Sequence, residues 1–131
     1  MTKSVMEMIG DARARVGSVT PEEAADKLQS GAAVLVDVRQ AVEWEHGHIE
    51  GSVPVPRGLL EFFADPTSPR HKEELDPAKE MVVVCHSGAR AALAAATLQD
   101  MGYEDVAVLE GGLAAWTAAG LPTTMHEYVG I

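Results

Sequence analysis

Met81-Val82-Val83-Val84-Cys85-His86-Ser87-Gly88-Ala89-Arg90, running on into Ala91-Ala92-Leu93-Ala94-Ala95-Ala96, is the stretch that decides the fold. Three consecutive valines between a charged segment and a polar loop read as a strand buried on both faces. The alanine-rich run behind the loop places the best helix former at position after position. Between strand and helix stands Cys85, the single cysteine of the chain. A cysteine that ends a strand and precedes a helix lies where backbone N–H groups lack intrahelical partners and the macrodipole is positive. Such a place favours a thiolate over a thiol and attracts anions. We take it as the candidate functional centre.

Working outward, the pattern repeats. Ala33-Val34-Leu35-Val36-Asp37-Val38 is a second nearly continuous aliphatic strand, as expected in a parallel sheet covered on both faces. Gly17 to Thr20 and Val106 to Leu109 read as short strands. Ser52-Val53-Pro54-Val55 reads as a strand confined to an edge by Pro54 and Pro56. Thr20-Pro21-Glu22-Glu23 opens a helix with a cap, a first-turn proline and a capping-box glutamate, and Gly31 ends it. Ser4 to Arg15 carries Val5, Met8, Ile9 and Ala12 at helical spacing, which predicts a helix docked on its own domain. Gln40 to Glu45 predicts a helical turn, Leu59 to Phe63 a short helix, and Leu113 to Ala119 a helix stopped by Gly120-Leu121-Pro122. Asp65 to Lys79, with Pro66, Pro69 and Pro77, predicts a long connection. Thr123 to Ile131 carries no structural signal. Strands alternating with helices predict a three-layer α/β domain with a mostly parallel sheet, in which ligands bind at the carboxyl ends of strands. Cys85 falls at such an end.

Composition narrows the function. A chain of 131 residues, 47% hydrophobic and 23% charged, suits one globular domain, taken here as residues 1–131. Its net charge of −10 argues against nucleic acid or an anionic membrane as partner. An anionic ligand must therefore be drawn by a local cationic site. One cysteine excludes an intramolecular disulfide and points to a reducing, cytoplasmic setting. No signal peptide and no run of roughly 20 apolar residues is read.

Several stretches then fall into one order. Leu35-Val36-Asp37-Val38-Arg39, Glu43, Gly47-His48-Ile49-Glu50-Gly51-Ser52, the Cys85–Arg90 loop, and Val108-Leu109-Glu110-Gly111-Gly112 with Ala115-Trp116 and Gly120-Leu121-Pro122 together resemble a rhodanese domain. The resemblance covers roughly residues 17 to 122, with the helix over 4–15 outside it. It implies a five-stranded sheet flanked by helices, no cofactor, and sulfur transfer through a persulfide on Cys85. The partners it implies are a small-molecule sulfur donor such as thiosulfate and a thiol or cyanide acceptor.

Each neighbour has a role to test. Arg90, in a Cys-x-x-Gly-x-Arg loop, is expected to bind a donor's sulfonate. Gly88 is expected to serve loop conformation, and Ser87 to meet the sulfur or cap the helix. His86 and Ala89 complete the substrate loop; an activated thiolate needs no histidine base, which leaves His86 as an exposed side chain. Arg57 is a further candidate at the pocket mouth. Arg39 and Glu43, four apart, are expected to pair on one helical turn, with Asp37 bonding the loop backbone. His46 and His48 are thin evidence for a metal, and no metal site is assigned; a structural hydrogen bond is expected of His48. Trp116 reads as core. Two alternatives stand beside sulfur transfer. One is a carrier or sensor of sulfur without turnover. The other is a cysteine phosphatase or arsenate reductase of related fold, whose loop needs five residues between cysteine and arginine; here there are His86, Ser87, Gly88 and Ala89 only.

Overall fold

In a computed structural model, which describes residues 2–128, five strands form one sheet with every pairing parallel. The strands are β1 (Gly17–Val19), β2 (Ala33–Asp37), β3 (Val53–Pro54), β4 (Glu80–Val84) and β5 (Val106–Leu109), in spatial order β1-β5-β4-β2-β3. The predicted edge strand is β3, cut to two residues that end at Pro54. Six α-helices accompany them: α1 (Val5–Arg15), α2 (Pro21–Ser30), α3 (Ala41–Glu45), α4 (Leu60–Ala64), α5 (Ala89–Asp100) and α6 (Gly112–Ala118). A 3₁₀ turn over Arg57–Leu59 precedes α4.

Alternation along the central strand divides the core. Met81 and Val83 face one side, where α5 contributes Ala91, Ala92, Ala94, Ala95 and Leu98 and α4 contributes Phe63. Val82 and Val84 face the other, against Ala24 of α2 and Trp116 of α6. All of these are buried, and the three layers follow from them. Trp116 is core as expected, its indole Nε1–H donating to the Pro122 carbonyl at 2.9 Å. From β2 the chain runs outward to β3, whereas from β4 it runs the opposite way to β5. The carboxyl ends of β2 and β4 therefore form a topological switch point, where an open α/β sheet leaves a crevice. Asp37 and Cys85 both stand there.

Capping boxes set two helix starts, Ser4 with Glu7 and Thr20 with Glu23. Helix α1 forms and docks on its own domain as expected, but not through its apolar stripe. Of its apolar stripe only Ala12 is buried, Ile9 is half-buried, and Val5 and Met8 remain exposed. It docks on α5 through its carboxyl half, where Arg15 Nη2 reaches Asp100 Oδ1 at 2.6 Å and Gln99 donates to the Arg15 carbonyl at 3.2 Å. The tail, silent in sequence, pairs back: Thr124 forms an antiparallel bridge with His48. Residues 129–131 at its end lie outside the described residues. Among the described residues no helix is long and apolar enough to cross a membrane.

Candidate active site

Strand β4 ends at Val84 and α5 begins at Ala89, so Cys85 to Gly88 is the whole turn between them. A chain reversing this tightly brings early helix amides back to the strand end. The Cys85 sulfur accepts hydrogen bonds from the Gly88 amide at 3.0 Å and the Ala91 amide at 3.3 Å. These donors, aligned with the α5 dipole, stabilise negative charge on the sulfur. The residue is 1% exposed, so the sulfur sits at the bottom of its loop. Gly88 supports the turn at φ +112°, a conformation that side-chain-bearing residues rarely adopt.

The loop is also held from outside. At the start of α6 the Leu113 amide donates to the Cys85 carbonyl at 2.8 Å, and the Ala114 amide to the His86 carbonyl at 3.0 Å. Gly112 lies so close beneath that a Cβ there would stand 2.5 Å from the His86 oxygen and 2.6 Å from that of Cys85. In the sequence this glycine figures only in the Val108–Gly112 stretch that carries the family resemblance, and no local pattern shows what it faces.

Other side chains depart from their expected partners. Arg90 turns its fork onto Glu43, with Nη1 to Oε1 at 2.7 Å and Nη2 to Oε2 at 3.0 Å. That hydrogen bond, with the Glu43 charge behind it, raises the Arg90 pKa. In turn Arg90, and then the Gln40 amide, hold the Glu43 carboxyl down to about 2. The expected Arg39–Glu43 side-chain pair does not form. Arg39 precedes the α3 cap at Gln40, off the helical turn, and folds back on Asp37. Its Nε donates to Asp37 Oδ1 at 3.0 Å and its Nη2 to Oδ2 at 2.9 Å, both residues buried. Asp37 does bond the loop backbone as expected, accepting from the Arg39 amide at 3.0 Å.

Ser87 neither meets the sulfur nor caps α5: the sulfur's donors are the two amides, and α5 has no side-chain cap. His86 is exposed at the mouth, and Ala89 opens α5 half-buried. Arg57 lies elsewhere, donating to Glu61 at 3.0 Å and to Thr97 Oγ1 at 3.2 Å, beside a groove between α1 and α5. The His48 ring is buried, stacked on Trp44 at 3.5 Å, with Nδ1–H donating to the Trp44 carbonyl at 2.8 Å. His46 bonds the Val42 carbonyl at 2.7 Å. Among the described residues no group of three or more metal-ligating side chains converges.

Openings lie on both sides of the loop, two of them lined by charged side chains. One, of about 360 Å³, is lined by His86, Arg39, Glu43, His46 and Leu113. The other, of about 370 Å³, is lined by Ser87, Gly88, Glu110, Gly111 and, from α1, Arg13. No motif pointed to Arg13; it arrives through the docking of α1, which periodicity alone does not position.

Residues 20–119 match the model of the rhodanese-like domain. Among curated relatives, the thiosulfate sulfurtransferase GlpE of Pseudomonas savastanoi pv. phaseolicola is 38% identical over 99 residues, covering 75% of this chain and 85% of that protein. The probable adenylyltransferase/sulfurtransferase MoeZ of Mycobacterium tuberculosis is 36% identical over 104 residues, and there this chain spans 79% of its own length but 25% of the relative's. A solved protein of unknown function from Rhodopseudomonas palustris CGA009, described as a possible tyrosine phosphatase, superposes with a TM-score of 0.87 at 41% identity, covering 95% of this chain and 96% of that one. On the extent of the family match, the chain belongs to the rhodanese-like domain family.

Proposed function

We propose that the protein is a sulfurtransferase that carries sulfane sulfur on Cys85, from a donor such as thiosulfate to a thiol or cyanide acceptor. One observation carries the reading: a lone thiol at the floor of a four-residue loop, its sulfur held by the Gly88 and Ala91 amides. The thiolate attacks the outer sulfur of thiosulfate. The new bond joins Sγ to that sulfur, the S–S bond of the donor breaks, and its electron pair leaves on sulfite. The persulfide anion that remains gains the same amide donors and helix dipole as the thiolate. An acceptor, cyanide or a second thiolate, then attacks the outer sulfur and returns Cys85 as thiolate, a double displacement. The identity to GlpE over most of both chains supports this reading. A reducing, cytoplasmic setting belongs to it, because the sole cysteine must stay free between turnovers.

A phosphatase reading meets two obstacles in the geometry. Only a slender terminus reaches a sulfur this buried, which suits one projecting sulfur atom better than a phosphate umbrella. Arg90, the loop's cation, is already engaged in both prongs by Glu43. The test compares turnover of thiosulfate with cyanide against hydrolysis of an aryl phosphate on the same preparation. Sulfur transfer with no measurable phosphate release is expected. Phosphate release equal to or faster than sulfur transfer would replace this reading with the phosphatase one.

A further inference from the structure

We propose that Arg13 of α1 is the residue that receives the sulfonate end of an anionic sulfur donor, the place sequence pattern assigned to Arg90. The inference rests on the sulfur-transfer reading and specifies its donor site. The arginines on the far side of the loop are already neutralised: Arg39 by Asp37, and Arg90 by Glu43. That leaves no uncommitted guanidinium in the opening on the His86 side, where Arg39 and Glu43 both already carry partners. On the other side Arg13 Nη2 comes within 3.6 Å of where a Gly88 Cβ would stand, beside the residue whose amide holds the sulfur. Ser87, Gly88 and Arg13 line one cleft, and its one carboxylate, Glu110, forms no ion pair with Arg13. The Arg13 side chain makes no hydrogen bond among the described residues, so its donors are available to a ligand.

The cleft is also a product of placement. Arg13 precedes the family-matched region, which begins at residue 20, so the domain fold by itself does not supply this cation. Burial of Ala12 and the Arg15–Asp100 pair fix the turn that carries it. On a surface of net charge −10, a dianionic donor gains from one local guanidinium what the overall field opposes. As the outer sulfur bonds to Cys85, the departing sulfite keeps its charge beside Arg13 and leaves with its electron pair.

The experiment is steady-state sulfur transfer from thiosulfate to cyanide, with wild type, Arg13→Ala, Arg13→Lys and Glu110→Gln compared at low and high salt. Arg13→Ala is expected to raise the thiosulfate KM about ten-fold, the worth of one charge-assisted hydrogen bond, with kcat nearly kept. Arg13→Lys should recover part of the loss, and Glu110→Gln should lower KM by removing a like charge. The wild-type KM should rise with salt more steeply than that of Arg13→Ala. A structural role would shift kcat or the thermal midpoint and would show no such charge order. Wild-type turnover with an unchanged KM in Arg13→Ala would overturn the assignment and leave sulfur transfer standing. Absence of wild-type turnover would overturn the sulfur-transfer reading and the assignment with it.

Discussion

At the scale of single residues, the cysteine loop depends on two glycines for different reasons. Gly88 is required by its own backbone, at φ +112°, and this was legible because a loop curling round a sulfur must reverse somewhere. Gly112 is required by its neighbour, since a Cβ would stand 2.5 Å from the His86 carbonyl oxygen. That contact joins positions far apart in sequence, and no local pattern reports it. Gly112→Ala, at φ +63° and against backbone that cannot move cheaply, is expected to cost about 3 kcal/mol in stability. The next amide, of Leu113, donates to the carbonyl of Cys85, so the rate of sulfur uptake should fall further than stability alone explains. Chemical denaturation and single-turnover kinetics on the same variant check both. Uptake at the wild-type rate would show that α6 does not shape the loop. Arg39 illustrates the opposite error: spacing of four suggested a pair with Glu43, but α3 starts only at Ala41, so the two never share a helical turn.

At the scale of elements, strands and helices were legible because their signals are local: aliphatic runs for β2 and β4, helical spacing for α1, a capping box for α2, prolines for the edge. What each helix touches was less so. The apolar stripe of α1 is mostly exposed, and the tail's bridge to His48 has no periodicity to announce it. The Arg90–Glu43 pair is the contact that ties α5 to α3 across the site. Hydrogen bonding to Arg90 lowers the Glu43 carboxyl from 4.5 to about 2 in the folded protein. A carboxyl lowered on folding adds stability above its unfolded value. That contribution is lost as pH falls from about 4.5 towards about 2. Half-exposure of the pair keeps it near 1 kcal/mol, about what a surface ion pair gives. Glu43→Gln should therefore be less stable than wild type at neutral pH, and the difference should vanish near pH 2. Urea midpoints measured across this range test it; a gap that persists undiminished at low pH would assign the loss to packing instead of charge.

At the scale of the whole molecule, the parallel sheet brings the ends of β2 and β4 together, and the Cys85 sulfur falls in the crevice between their diverging connections. The chain's net negative charge opposes an anionic donor, and with Arg39 and Arg90 already paired to carboxylates, Arg13 is the uncommitted guanidinium lining the cleft beside the loop. The sheet, the helix order and the identity of the central cysteine could be read from residues alone. The distribution of charge around that cysteine could not, because it depends on which arginine each carboxylate reaches in three dimensions. The central claim is that Cys85 itself takes and holds sulfur, and intact mass after incubation with thiosulfate alone tests it most directly. The account predicts that wild-type protein gains the mass of one sulfur atom, that cyanide removes it, and that a folded Cys85→Ser variant gains nothing. Wild-type protein that stays at its original mass, or a serine variant that takes up the same mass, would contradict it.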